Sequence, residues 1–288
     1  MVKSTITRRL TPTMKNYELT IAPKQKWHLV SLKELWRYRE LFFILSWRDI
    51  KVRYKQTFLG IIWVIFQPLA TTGIFTIFFG RLANIPSGNL PYELFVFIGL
   101  VFWIFFSASV TAASNSMVEN VNIIKKVYFP REILPISAII TSFVDFAIAF
   151  LVVLIVTFYF GFVPSPTIFI YLPIVILIIF LTSSGIGLFL ASFNVRYRDV
   201  RYILPFFIQS MLFLTPVIYP SAVVRDSFRP ILAFNPMTGV IETMRIVLSG
   251  SGRVDLGVLF ISSVFSLIVF VIGLTYFRVT ERFFADIA

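Results

Sequence analysis

The chain has no cysteine in 288 residues and a single histidine, His28. The first absence excludes disulfides, thiolate metal sites and thiol catalysis. The second leaves no histidine cluster to ligate a metal or relay protons. Charge is scarce too: 14% of residues are Asp, Glu, Lys or Arg against 58% hydrophobic, and mean hydropathy is +0.87. A water-soluble domain of that composition would expose apolar patches it could not tolerate. No G-x-x-x-x-G-K-[ST] loop is present to cradle a nucleotide's phosphates. No internal repeat is evident, which weighs against the inverted-repeat design of many secondary transporters. Nucleic-acid-binding motifs are also lacking, so the net charge of +12 needs another explanation.

The placement of that charge supplies one. Six long apolar segments run at about Phe58–Gly80, Tyr92–Met117, Ile133–Phe160, Thr167–Phe193, Tyr202–Tyr219 and Val254–Phe277. Each has at least ~18 residues, and ~20 cover a bilayer core. Counting Lys and Arg on alternate flanks puts 21 of the 26 on one side, 13 of them between Lys3 and Lys55, and 5 on the other. This is the positive-inside pattern of a polytopic inner-membrane protein with both termini in the cytoplasm. Basic flanks also suit anionic lipid headgroups. The first 50 residues are polar and basic, so no cleavable signal peptide is expected. The expected fold is an all-α integral membrane protein with a cytoplasmic tail over 1–30, an amphipathic helix and linker over 31–56, and a six-span domain over 57–288. Pro205 and Pro216 predict a kinked or unwound fifth span.

Three stretches outside the spans carry pattern. Over Ser31–Ile50, Leu32, Leu35, Trp36, Phe42, Phe43, Trp47 and Ile50 fall at helical spacing, with Lys33, Arg37, Glu40 and Arg48 off the stripe. Ser31 and Glu34 have the spacing of a capping box. Such a helix suits the membrane interface, or packs on protein. In the loop Val118–Glu132, Val121, Ile124 and Tyr128 share one face of a short helix ending before Pro130. Spacing alone does not separate a docking helix from an ordinary connection. Within Pro220–Arg253, Asn235 is placed to N-cap a helix whose first residue is Pro236. Met237, Val240, Ile241, Met244, Val247 and Leu248 share one face of it, and Thr238, Glu242 and Arg245 the other. This helix is too short to span alone and fits a gate or an outer lid equally.

Chemistry inside the spans is sparse. Asp145 is the only acid well inside one, and burying it in lipid costs roughly 2.5–3.5 kcal/mol. It is expected to face protein or water, paired with a Thr, an Arg or a backbone group. Without partner acids or histidines in the spans, a packing role is favoured over a proton relay. Ser183, Gly187 and Ala191 repeat at four-residue spacing and predict close helix packing. Phe95, Phe97, Phe102, Trp103, Phe105 and Phe106 cluster on the second span. For any one of the aromatics, core or lipid contact is favoured over sugar stacking.

Five segments then carry a resemblance. WRDIKVRYKQTFLGIIWVIFQPL (Trp47–Leu69), NIIKKVYFPREILP (Asn122–Pro135), SFNVRYRDV (Ser192–Val200), TPVIYP (Thr215–Pro220) and FNPMTGVIETMR (Phe234–Arg245) resemble, in collinear order, segments of type-2 ABC exporter permeases. The likeness is strongest to those exporting lipid-linked polysaccharides (O-antigen, capsule and teichoic acid) and spans roughly Leu32 to Arg282. It implies a homodimer of six-span permeases enclosing a path, with two separate ABC ATPase subunits beneath that carry ATP and Mg. The permease itself then needs no cofactor or metal and does no covalent chemistry. The resemblance implies that Ser31–Trp47 is an interface helix. It makes about 119–129 a coupling helix presenting Glu119, Asn122, Lys125, Lys126 and Tyr128 to the ATPase. It makes about 220–248 a set of outer re-entrant gate helices, with Asn235, Pro236, Glu242 and Arg245 as gate residues. Trp63, Phe66, Phe206, Phe207, Gln209 and Phe213 become path-lining candidates. Arg48, Lys51, Arg53 and Lys55 become candidates for the pyrophosphate of a polyprenyl carrier, although positive-inside anchoring alone accounts for them. Two alternatives stand beside this: a type-2 permease for a drug or simple lipid, and a membrane enzyme acting on polyprenyl-linked sugars. Against the enzyme, Asp49, Glu119, Glu132 and Asp199 are scattered singly.

Overall fold

The computed structural model describes residues 36–55, 60–127, 129–197, 199–225, 227 and 229–281, and among these the regular structure is helical. In chain order the helices are α1 (Arg39–Lys55), α2 (Gly60–Phe75), α3 (Tyr92–Glu119), α4 (Val121–Ile124), α5 (Ile133–Tyr159), α6 (Ile168–Arg196), α7 (Val200–Leu214), α8 (Arg229–Ala233), α9 (Pro236–Ser249) and α10 (Leu256–Thr280). The helix α2 runs on as a π-helical segment, Thr76–Leu82. Five stretches are long and apolar enough to cross a membrane: Gly60–Leu82, Tyr92–Glu119, Ile133–Tyr159, Ile168–Arg196 and Leu256–Thr280. At 1.5 Å per residue they measure roughly 35–43 Å, more than a hydrocarbon core. The described residues are therefore those of a helical membrane protein.

The expected fifth span is shorter than its hydropathy predicts. Pro205 sits inside α7, which has 15 residues and stops at Leu214. Thr215 takes an extended conformation with ψ 140°, because Pro216 behind it disfavours the helical region. The apolar residues from Thr215 to Ile218 are buried without being helical.

The helix α3 is the hub. Leu94, Val96, Ile98 and Phe102 are fully buried, and a helix apolar all round belongs inside a bundle. Phe105 stacks on Phe146 of α5 with ring centroids 4.7 Å apart, and Phe102 meets the same ring tilted at 5.2 Å, so this aromatic cluster is core. Elsewhere closeness is set by missing side chains. A Cβ at Gly187 of α6 would lie 2.5 Å from the Ala113 Cβ of α3, and one at Gly273 of α10 only 1.9 Å from the Gly185 carbonyl oxygen. Ser183, Gly187 and Ala191 are all buried, so the predicted stripe does pack. The Gly185–Gly273 contact that seats α10 on α6 is additional to it. The outer face of α10, with Leu267, Ile268, Val271 and Ile272, is exposed and suits lipid.

The two ends of the bundle differ. One gathers α1, α4 with its loop, and the C-terminal turn of α10. The other gathers α9, the start of α3 and the non-helical stretch after α7.

Candidate functional site

At the first end, α1 is held on one side and open on the other. Leu45 is buried with Met117, Phe129, Ile133, Leu134 and Phe277, and Tyr38, Leu41 and Phe42 pack against them. Trp36, Phe43 and Trp47 stay exposed. The Phe43 and Trp47 rings stack 6.4 Å apart, and the Arg39 guanidinium lies 5.4 Å from the Trp36 ring. The single stripe expected from spacing is thus split: Phe42 turns inward with Leu45, while the two Trp and Phe43 turn outward. Ser31, Glu34, Leu32, Leu35 and His28 lie outside the described residues.

The four basic candidates of α1 fall into two kinds. Arg48 donates to Asp49 at 2.8 Å and to Asn120 Oδ1 at 2.9 Å. Arg53 pairs with Asp145, and the Tyr54 hydroxyl donates to the same carboxylate. Burial, then the Asp145 carboxylate, push the Tyr54 phenol up, so it stays a donor. Of the partners expected for this acid, a Thr, an Arg or a backbone group, the structure supplies the Arg. Lys51 and Lys55 are exposed, as is Arg53, but neither lysine has an ion pair among the described residues.

The loop after α3 presents the expected docking residues. Glu119, Asn122, Lys125 and Lys126 are exposed, while Ile123 and Ile124 pack on the small core beneath; Tyr128 lies outside the described residues. The regular helix is only Val121–Ile124, four residues. Past it, Phe129 and Glu132 are buried, and Glu132 accepts from Arg278 Nε at 2.7 Å. Spacing gave no hint of this pair, whose members stand 146 positions apart.

Trp63 and Phe66 are exposed on α2 with ring centroids 5.7 Å apart. Phe206, Phe207, Gln209 and Phe213 are exposed on α7, where Leu204 is the buried residue. A cavity of about 490 Å³ opens between α2, α3 and α5, walled by Trp63, Gln67, Phe105 and Phe146 with Arg53 and Asp145. Of the six path candidates Trp63 alone lines it.

At the other end, Asn235 caps α9 as expected: its Oδ1 accepts from the Met237 N–H at 3.1 Å and its Nδ2 donates to Thr215 Oγ1 at 2.8 Å. Pro236 opens the helix and is buried. Arg245 departs from expectation. Spacing groups it with Thr238 and Glu242 on the polar face of the helix, yet Thr238 and Arg245 are 2% and 6% exposed. Its guanidinium donates to the carbonyls of Phe95 (3.1 Å), Pro216 (2.7 Å) and Val217 (2.6 Å) and lies 3.4 Å from the Phe95 ring centroid. Gly99 leaves the room: a Cβ there would sit 2.7 Å from Nη2. Burial pulls the guanidinium down to about 9, with Glu242 opposing, so it remains charged near neutral pH. The physical reason is the break after α7. Its carbonyls lie in the interior and need donors. Glu242 alone of the polar trio is partly exposed, in the wall of a cavity of about 270 Å³ with Ser221 and Asp255.

Comparison with known proteins places this architecture. The O-antigen export system permease RfbA of Myxococcus xanthus is 30% identical over 218 residues, covering 75% of this chain and 83% of that protein. An RfbA of Klebsiella pneumoniae is 27% identical over 250 residues, 86% of this chain and 95% of that protein. The polysialic acid transport protein KpsM of Escherichia coli is 24% identical over 242 residues, 82% of this chain and 91% of that protein. The ABC-2 type transporter family matches residues 40–249. That match runs from the first turn of α1 to the last residue of α9, and the chain belongs to the ABC-2 type transporter family.

Proposed function

We propose that this chain is the permease subunit of an ATP-driven exporter. It moves a lipid-linked polysaccharide, such as O-antigen on polyprenyl pyrophosphate, from the cytoplasmic to the outer side of a bacterial inner membrane. The observation that carries this is the similarity to O-antigen export permeases over 83–95% of their own length. The absence of a phosphate-cradling loop in the sequence fits a division of labour in which ATP and Mg belong to a separate ATPase.

In this proposal two copies enclose the path and two ABC ATPases sit beneath. Both termini and the basic end of the bundle face the cytoplasm, as the charge asymmetry supports. The helix α7, with the buried stretch behind it, serves as the fifth of six crossings; α1 lies in the membrane interface on its exposed Trp and Phe. Glu119, Asn122, Lys125, Lys126 and Tyr128 meet the ATPase, whose closure on ATP rocks α1 and the 119–129 segment. The path widens between the exposed faces of α2 and α7. The carrier's pyrophosphate is met by the basic end of α1, where Arg48, Lys51 and Lys55 follow helical spacing and Arg53 stands beside Asp145. The helices over 220–248 form the re-entrant outer gate.

The test is co-purification with the ABC ATPase encoded beside this chain. The wild type is expected to elute as a 2:2 complex. The Glu119→Arg, Lys125→Glu double variant is expected to elute as a folded permease without ATPase. A wild-type permease that binds no ATPase in any nucleotide state overturns the proposal in favour of a membrane enzyme.

A further inference from the structure

The loop over 119–132 is tied at both ends to elements distant in sequence. At its entry the Asn120 amide donates to Ser116 O at 2.8 Å, fixing it on the last turn of α3, and its oxygen accepts from Arg48 Nη2 of α1 at 2.9 Å. At its exit Glu132, 4% exposed, pairs with Arg278 at 2.7 Å. Next to it, Arg131 Nη1 donates to the Glu281 carbonyl at 2.7 Å, and the Glu281 carboxylate lies 3.5 Å from the Arg131 N–H. Two adjacent residues of the loop therefore grip two residues about one turn apart at the end of α10. An apolar plug backs the grip: Phe129, Ile133 and Leu134 are buried with Phe277, which is the residue before Arg278.

These features have the mechanics of a stiff connection. A carboxylate this buried is costly to leave without its cation, and a guanidinium–carboxylate bond fixes direction as well as distance. Outboard of the grip, Asn122, Lys125 and Lys126 are exposed. Inboard, α10 seats on α6 through Gly273 against Gly185. A displacement of the loop would therefore meet α10 at Arg278, and α6 through the glycine contact.

We propose that Glu132 and Arg278 are positioning residues of a rigid joint that makes the last span move with the 119–132 loop during transport. This rests on the exporter proposal, because it takes the loop to be where the ATPase pushes.

The test uses the full chain in complex with its ATPase. Two quantities are read: ATP hydrolysis by the purified complex in vesicles, and surface polysaccharide made by cells expressing the same variants. Arg278→Gln and Glu132→Gln are expected to keep the ATPase bound and hydrolysing while surface polysaccharide falls about tenfold, the scale of a typical inter-site coupling. The natural absence of cysteine permits a second arm. Glu132→Cys with Arg278→Cys should be defective until a short bifunctional thiol reagent bridges the pair, and bridging should restore export to at least half. A bridge that stops export shows that loop and span must part, and overturns the joint. So do single variants that export as the wild type does, and variants whose export falls only in step with their expression and ATP hydrolysis. A wild-type chain that binds no ATPase overturns the exporter proposal and the joint with it, a result distinct from the others.

Discussion

Where α7 ends at Leu214, the carbonyls of Pro216 and Val217 lie buried without helical donors, and Arg245 answers both and Phe95 O besides. A guanidinium presents a fork of donors that an ammonium does not. Each buried carbonyl left unpaired costs about 1–3 kcal/mol. Arg245→Ala, which orphans both, is therefore expected to destabilise by about 2–6 kcal/mol and Arg245→Lys by less. The measure is the thermal unfolding midpoint in detergent, with the order wild type, Lys, Ala; an Ala variant as stable as the wild type would contradict the staple. Spacing alone groups Arg245 with Thr238 and Glu242 and does not show what it binds, because helical periodicity says nothing about orphaned acceptors 28 and 29 positions earlier. Asp145 was more legible. Hydropathy makes a lone acid in a span costly, so a partner was implied, although nothing in the pattern named Arg53 or Tyr54.

Among the elements, the long spans were legible to within three residues where their ends are described, because a bilayer-length apolar run allows few alternatives. Two features were not. The exposed and inward faces of α1 overlap in sequence, since Phe42 and Phe43 are neighbours that point to different surroundings. The seating of α10 on α6 depends on two glycines in separate spans, and no local pattern joins Gly185 to Gly273. That contact yields a contrast. Gly273→Leu places a Cβ where the Gly185 carbonyl stands, 1.9 Å away, and overpacking of this kind costs about 1–3 kcal/mol or more. Gly73→Ala, with nothing within 4 Å of its Cβ, is expected to stay within about 1 kcal/mol of the wild type. Thermal midpoints of the two variants compared side by side check this; equal losses would mean that α6 and α10 are not in close contact.

On the scale of the whole molecule, two kinds of apolar surface remain uncovered on a single chain. The face of α10 is aliphatic, with Leu267, Ile268, Val271 and Ile272, and lipid satisfies it. The faces of α2 and α7 mix rings with aliphatic residues and each includes an exposed amide: Gln67 one turn from Trp63, and Gln209 between Phe207 and Phe213. A side-chain amide facing hydrocarbon leaves its donors and acceptors without partners. These two faces therefore belong against protein or water, whereas the α10 face does not. Aromatic count alone would not have separated them, since rings suit lipid, core and sugar alike. Gln67, which no spacing rule singles out, marks the distinction as clearly as Gln209. The absence of cysteine allows it to be read directly in native membranes. Gln67→Cys and Gln209→Cys are expected to react with a charged, membrane-impermeant thiol reagent added to opened vesicles. Leu267→Cys and Val271→Cys are expected to stay unlabelled, because a thiol in hydrocarbon neither ionises nor meets the reagent. Protection of the two glutamine positions when the ATPase is trapped in one nucleotide state would place them on a path that opens and closes. Labelling at Leu267 equal to that at Gln209 would remove the case for a path between α2 and α7.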